Sequence, residues 1–452
     1  MATKKTYDAV IIGAGVIGSS ISLHLSRLGY KVINIDSKAG AGHGTTSYSS
    51  GICRMFYSIL DSVKFSWEGY HYWKDWENFI GVEDPRGFAR IRECGGVIIR
   101  TKNSKPFLDK SVPCMLEAGV ECIEWDLSEA QEKLGKLGWD LSHTYNPPRI
   151  DNPLFGTPVE GVKVEGAVFC PETGYVSDPQ LATMNLAFAA EQCGATFLYN
   201  TIVTEIKQQG GTVNSVSLSD GTRIFAPIVV NAAGPKSSLV NKLAFPGTSQ
   251  SVPNDMKVTT RAMRQEVAYC EPPDGVDMDK YGMITTDLDI GAYWRPEVGN
   301  KILIGGTEPD CDPEEWVNGD IDLDMNLSLT ENWENYVYRV ALRIPKLPLP
   351  SGKKTQGIVS AYDVTPDWTP IYDKSSLGGY YLAIGTSGNQ FKNAGVAGDL
   401  MATLIDSIEN GLDHDNEPMQ YELKRSNPGD YVNTKSFSRL REINDTSGSV
   451  LG

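Results

Sequence analysis

The sequence predicts an α/β fold: a parallel, helix-covered sheet assembled from separated chain segments, with an α+β second domain of mixed or antiparallel strands inserted into it. Three observations predict this. A glycine-rich turn joins a buried strand to a helix at the N-terminus. A second strand–turn–helix unit follows residue 380. The stretches between are richer in Pro, Asp, Trp and Tyr, a pattern suited to half-exposed antiparallel strands.

The first element is the apolar run from Tyr7 to Ile12, which reads as a buried parallel strand. Gly13, Gly15 and Gly18 follow in GxGxxG spacing, and Ile17, Ile21, Leu25 and Leu28 then recur at helical intervals. Gly29 ends the helix, Lys31 to Ile35 is a second buried strand, and Asp36 stands at its end. Each part suits a dinucleotide. Gly13 permits a tight turn, Gly15 lets the backbone approach a pyrophosphate, and Gly18 lets the helix pack closely on the strand. The helix N-terminus offers free N–H groups to phosphate. The Asp36 carboxylate suits ribose hydroxyls and disfavours a 2′-phosphate, so NADP is not expected.

Two later segments favour FAD over NAD. Gly44 to Arg54 (GTTSYSSGICR) carries small hydroxyl residues directly after the second strand. Tyr380 to Lys392 (YYLAIGTSGNQFK) gives a strand and glycine turn, followed by a helical stretch from Ala394 to Ile408. A cofactor touched by both ends of the chain is long. Ile228 to Asn231, entering Ala232-Ala233-Gly234 after Pro227, reads as a further buried strand of the same sheet. Residues 182–192 read as a helix, and 194–206 as strands.

Composition narrows the partners. A formal charge of −16 repels phosphate backbones and anionic lipid, so no nucleic-acid or membrane partner is expected. The eight cysteines form no CxxC pair and the five histidines do not cluster with them, so no metal site is expected, and reduced thiols suit a cytoplasmic protein. There is no run of about 18 apolar residues to span a bilayer.

Four blocks besides the N-terminal motif carry a resemblance: GTTSYSSGICR at 44–54, ETGYVSDP at 172–179, YWRPEVGNKILIGGTEPD at 293–310 and GTSGNQFKNAGVAGDL at 385–400. Over roughly residues 6–410 the chain resembles the FAD-dependent amino-acid and amine oxidase family that includes sarcosine oxidase, dimethylglycine dehydrogenase, glycine oxidase and D-amino acid oxidase. The resemblance implies a Rossmann-like FAD-binding domain of discontinuous segments under a mixed-sheet substrate domain. It also implies a reaction: hydride passes from the carbon beside the amine to flavin N5, and water hydrolyses the imine. The substrate expected is a small N-substituted amino acid such as sarcosine, dimethylglycine, iminodiacetate or an opine-like compound. The alternatives are a primary amino acid (glycine or a D-amino acid), or a non-catalytic FAD-binding subunit of a complex. Either oxygen or a redox partner then takes the electrons.

The cofactor contacts expected are Gly13, Gly15, Val16, Ile17 and Gly18 in the first turn, with Asp36 and Ser37 after the second strand. Gly44, Thr45, Thr46, Ser50, Gly51 and Ile52 follow in the hydroxyl-rich loop, with Val203, Ala233 and Gly234 in mid-chain and Gly388, Asn389, Gln390 and Lys392 near the end. Two positions depart from the resemblance. Tyr48 stands where the dimethylglycine branch links its flavin through histidine, and Ser360 where monomeric sarcosine oxidase uses a cysteine, so FAD is expected to be non-covalent.

The resemblance to sarcosine oxidase implies reacting roles for Arg54 as a carboxylate clamp, Tyr293 and Tyr362 facing the substrate and Lys392 as a cation at the flavin or the substrate carboxylate, and strand alternation adds Arg295 on the face of Tyr293. A structural ion pair would also explain Arg54, a core aromatic and a partner-facing arginine would explain Tyr293 and Arg295, ordinary packing Tyr362 and a surface lysine Lys392, and His43 and His71 read more readily as structural than as bases. The lysine that promotes oxygen reaction in sarcosine oxidase falls at Leu303, with Lys301 two residues away. Domain bounds expected are 1–90, 165–245 and 355–415 for the FAD domain, 91–164 and 246–354 for the substrate domain, and 416–452 as a polar surface tail.

Overall fold

The computed structural model describes residues 5–146, 149–246, 256–317, 328–350 and 356–451. Its first sheet has six strands in the order Thr196–Leu198, Val32–Ile35, Ala9–Ile12, Ile228–Asn231, Tyr380–Ile384 and Ile371–Lys374. The first five are parallel and the last is an antiparallel edge. The inner strands are apolar along their whole length because both faces are covered. Ala9 and Ile11 pack with the helices Val16–Arg27, Pro179–Gln192 and Ala394–Glu409. Val10 and Ile12, on the opposite face, pack with Val203, Ile206, Val216 and Ile224 of a small four-stranded sheet.

The second sheet has nine strands, centred on Arg261–Cys270, Lys301–Gly306 and Ala292–Glu297. It is antiparallel except where Ile284–Asp287 runs parallel to Gly96–Arg100. One face, including Trp294, Ile302 and Ile304, packs on Trp333, Tyr336, Val337 and Val340 of the helix Glu331–Arg343. The other face turns Tyr293, Leu303 and Val267 toward the first sheet's loops, where Ile52 packs against them.

Two expected boundaries shift. Gly166–Cys170 and Gln356–Val364 hydrogen-bond into the second sheet, against Gly96–Arg100 and Arg261–Cys270, although both lie in ranges expected in the FAD domain. Local periodicity identifies a strand but not the edge it joins. The expected surface tail is also corrected. Tyr421, Leu423, Val432 and Phe437 are buried in the core cluster beside the helices, and Arg439 and Arg441 are buried as well. The buried Glu68 carboxylate accepts the backbone N–H groups of Lys424, Arg425 and Ser426, tying this segment to the helix Leu60–Lys74. Among the described residues no helix is long and apolar enough to cross a membrane, and no three metal-capable side chains come together.

Candidate active site

A cavity of about 730 Å³ opens at the carboxyl ends of the parallel strands, where open α/β sheets bind ligands. Gly13, at φ +112°, starts the turn, and a Cβ there would lie 2.4 Å from the Ala232 carbonyl oxygen. A Cβ on Gly18 would lie 2.0 Å from the Gly13 carbonyl oxygen, so this glycine sets the helix-to-strand packing rather than touching a ligand. The helix starts at Val16 without an acidic residue in its first turn. Its positive end therefore stays available to phosphate. Val16 N–H donates to Thr46 Oγ1 at 3.2 Å, which places the hydroxyl-rich loop over the turn.

The Asp36 carboxylate accepts Ala14 N–H at 2.6 Å and Lys38 N–H at 2.7 Å. Each oxygen keeps a further lone pair for a ribose hydroxyl, since a carboxylate has about four acceptor positions. The glycine cradle, the open helix end and this acid together fit a dinucleotide. Gly13, Gly15, Val16, Ile17, Asp36, Ser37, Gly44, Thr45, Thr46, Ser50, Val203, Ala233, Gly234, Gly388 and Gln390 all line the cavity.

Four others lie behind the wall. Gly51, at φ +63°, has room for no Cβ, because one would lie 2.3 Å from the Val176 carbonyl oxygen. Ile52 pairs with Tyr175 and packs beneath Tyr293. Asn389 Nδ2 donates to the Trp368 carbonyl at 3.0 Å, which fixes the turn that carries Gln390. Lys392 is 2% exposed; its Nζ donates to the Tyr57 hydroxyl at 2.6 Å and to the Asn389 carbonyl. Burial, and then the Arg54 charge, push the Lys392 ammonium well below its usual range.

The remaining expected residues gather around Arg54. Its side chain is buried, and its electrostatic neighbours include Tyr57, Tyr293, Glu308 and Tyr362. Burial raises the Tyr293 phenol to about 12 and the Tyr362 phenol well above its usual value. Tyr362 lines the cavity, with its ring against Gly388. Arg295 is placed differently from the expectation of a reacting residue. Its Nε donates to the Ser50 carbonyl at 2.8 Å, Nη1 to the Pro296 carbonyl at 2.6 Å and Nη2 to Glu297 at 2.9 Å, and the guanidinium lies 4.3 Å over the Tyr175 ring. It braces the cofactor loop against the second sheet.

Sequence reasoning passed over two acids. Asp363 lines the cavity and accepts Gly385 N–H at 2.6 Å, and burial lifts its carboxyl to about 7. Glu308, at φ +51°, lies in the loop two residues past the strand Lys301–Gly306, and burial lifts its carboxyl to about 8. An acid just past the apolar run Ile302–Ile304 and its two glycines was the available signal. His71 packs edge-on against Trp67, whereas His43 lines the cavity.

Fold and site define a dinucleotide-dependent oxidoreductase. The chain belongs to the FAD dependent oxidoreductase family (DAO), which matches residues 8–404, and FAD is its cofactor. It is 23% identical over 414 residues to the sarcosine oxidase subunit beta of Rhodobacter capsulatus, covering 89% of this chain and 85% of that one. It is 24% identical over 235 residues to the mitochondrial dimethylglycine dehydrogenase of Homo sapiens, covering 51% of this chain but only 23% of that relative's length. The L-proline dehydrogenase of P. horikoshii shares the fold with a TM-score of 0.70 at 20% identity, covering 89% of this chain and 94% of that one.

Proposed function

We propose that this protein oxidises the carbon–nitrogen bond of a small N-substituted amino acid, using non-covalent FAD. The observation that carries the reading is Arg54, a buried guanidinium 4.7 Å over the Tyr57 ring, with Tyr293 and the cavity-lining Tyr362 among its electrostatic neighbours. A buried arginine in an aromatic box suits a carboxylate, which it can bind through two parallel N–H bonds. The relatives named for sarcosine and dimethylglycine support an N-alkyl substrate. FAD, when bound, supplies the two-electron acceptor. The chain's own groups do the rest: Arg54 holds the carboxylate, and Tyr293 and Tyr362 wall the reacting carbon from water. Tyr48 and Ser360 line the cavity at the two positions where relatives of the resemblance attach flavin, which supports a dissociable cofactor.

The test is an anaerobic panel of N-methyl amino acids, N,N-dimethylglycine, iminodiacetate, proline, glycine and D-amino acids, read by bleaching of the flavin band. Bleaching by the N-substituted compounds at least tenfold faster than by primary ones supports the reading. Bleaching by primary amino acids alone, or by none, refutes it.

A further inference from the structure

Inside the site, the chain presents part of itself to Arg54. Residues 444–451 return to the cavity end, anchored by Asp367, which accepts Asn444 N–H at 3.4 Å and, through its carbonyl, the Ser447 hydroxyl at 2.6 Å. Val450 is then read from both sides. Its carbonyl accepts from Arg54 Nη2, and its N–H donates to Glu308 Oε2 at 3.3 Å. The next carbonyl, that of Leu451, accepts from Arg54 Nη1 at 3.1 Å. The isopropyl group of Val450 packs into an apolar cluster of Met263, Val364 and Trp368, with Trp316 and Tyr362 at its edge.

A peptide residue and an α-amino acid share one covalent skeleton, N–Cα–C=O, with the same separation between nitrogen and carbonyl oxygen. A peptide nitrogen, like the unprotonated nitrogen of a secondary amine, carries one hydrogen. Val450 thus shows what the pair Arg54 and Glu308 is spaced to hold: an acceptor oxygen on one side and a donor N–H on the other, one carbon apart. A carboxyl group facing the nitrogen adds selectivity that Arg54 cannot supply, since Arg54 sees only the acid. The cluster beneath adds a second choice, because it has room for a branched apolar side chain.

We propose that Glu308 is a specificity-determining residue that takes the N–H of the substrate nitrogen while Arg54 takes its carboxylate, that Val450 occupies this subsite in the free enzyme, and that the preferred substrate is a secondary α-amino acid with an apolar side chain. The proposal rests on the proposed function above and narrows its substrate class. Substrate entry displaces residues 448–451 from Arg54 and Glu308, while the anchors at Asp367 keep the segment close.

Two measurements on the full-length holoenzyme test it. In the first, N-methylvaline (each enantiomer) and isovalerate, which has the acid and side chain but no nitrogen, are titrated against the flavin spectrum. Wild type binds the better enantiomer of N-methylvaline at least about tenfold more tightly than isovalerate, the scale of one hydrogen bond to a charged group. In Glu308→Gln that preference, taken as the ratio of the two affinities in the same variant, falls to within about threefold. A Glu308→Gln enzyme that keeps the tenfold preference overturns the assignment. The second measurement needs no variant: hydrogen exchange of residues 446–451 in wild type, with and without saturating N-methylvaline. Faster exchange on binding supports displacement of Val450, and unchanged exchange with the flavin spectrum perturbed overturns it. Flavin bleaching in the substrate panel together with a retained preference in Glu308→Gln removes only this inference. A panel without bleaching removes the proposed reaction, while the two binding readouts still decide the subsite.

Discussion

Asp36→Ala separates the cofactor's share of stability from the fold's. The carboxylate closes the turn by accepting Ala14 N–H at 2.6 Å and Lys38 N–H at 2.7 Å. Hydrogen bonds to a charged acceptor contribute about 1.5–3 kcal/mol each when buried. Asp36 is half-buried, and water replaces part of the loss, so about 1–2 kcal/mol in all is expected for the apoprotein. The inner strands on either side, Ala9–Ile12 and Val32–Ile35, stay fully buried and keep their register. The ribose contact adds a second loss that appears only with FAD present, of about 1.5–3 kcal/mol, or roughly tenfold to a hundredfold in Kd. The assay is quenching of FAD fluorescence on titration with apoprotein, paired with thermal melts with and without FAD. The expected result is a weakened Kd and a smaller FAD-induced rise in Tm, with unchanged far-ultraviolet circular dichroism. A variant with wild-type Kd refutes the assignment of Asp36 to the ribose, whatever happens to its apo stability.

Other outcomes follow from the same geometry. Acid precipitation releases all flavin into the supernatant if attachment is non-covalent, and flavin retained in the pellet would point to His43 or Tyr48, which both line the cavity. Arg54→Ala raises KM by about tenfold or more and lowers the rate of flavin reduction at saturation less, because a carboxylate clamp holds ground and transition states alike; a wild-type KM would remove Arg54 from the substrate site. Oxygen reoxidises the reduced enzyme more slowly than an artificial dye does. Leu303, at the position of the oxygen-promoting lysine in the resemblance, is apolar and buried, and burial holds the Lys392 ammonium below its usual range, so superoxide meets no cation at Leu303 and a disfavoured one at Lys392. Stopped-flow reoxidation in air faster than turnover, with stoichiometric peroxide, would refute this. Asp415 is held down to about 2 from its ordinary 3.8, with Arg439 and Lys374 beside it. Because its folded value is depressed, its contribution is complete above about 3.8 and is lost as pH falls toward 2. Asp415→Asn therefore loses stability at neutral pH and flattens the acid-unfolding curve in that window, read by urea midpoints at each pH.

The sequence by itself determined the parts of this protein that rest on local rules. The run at Ala9–Ile12, the glycines at 13, 15 and 18, and Asp36 specify strand, turn, helix and acid through backbone sterics and helix-end electrostatics that act within forty residues. Strand alternation likewise put Tyr293 on one face and Trp294 on the other, as their separate clusters show. Tertiary structure decided the rest, because it depends on which distant groups meet. Arg295 shares a face with Tyr293, but its donors are taken by Ser50, Pro296 and Glu297. Lys392 is a charged residue in the sequence, yet enclosure beside Arg54 depresses its ammonium. Residues 416–451 read as polar surface, yet Glu68, hundreds of residues earlier, gathers their backbone N–H groups. Docking there carries Tyr421 and Phe437 into the core and brings Val450 to Arg54 and Glu308. Periodicity records which side of an element is apolar; burial of a charge and the partner that compensates it are set only when the chain closes on itself.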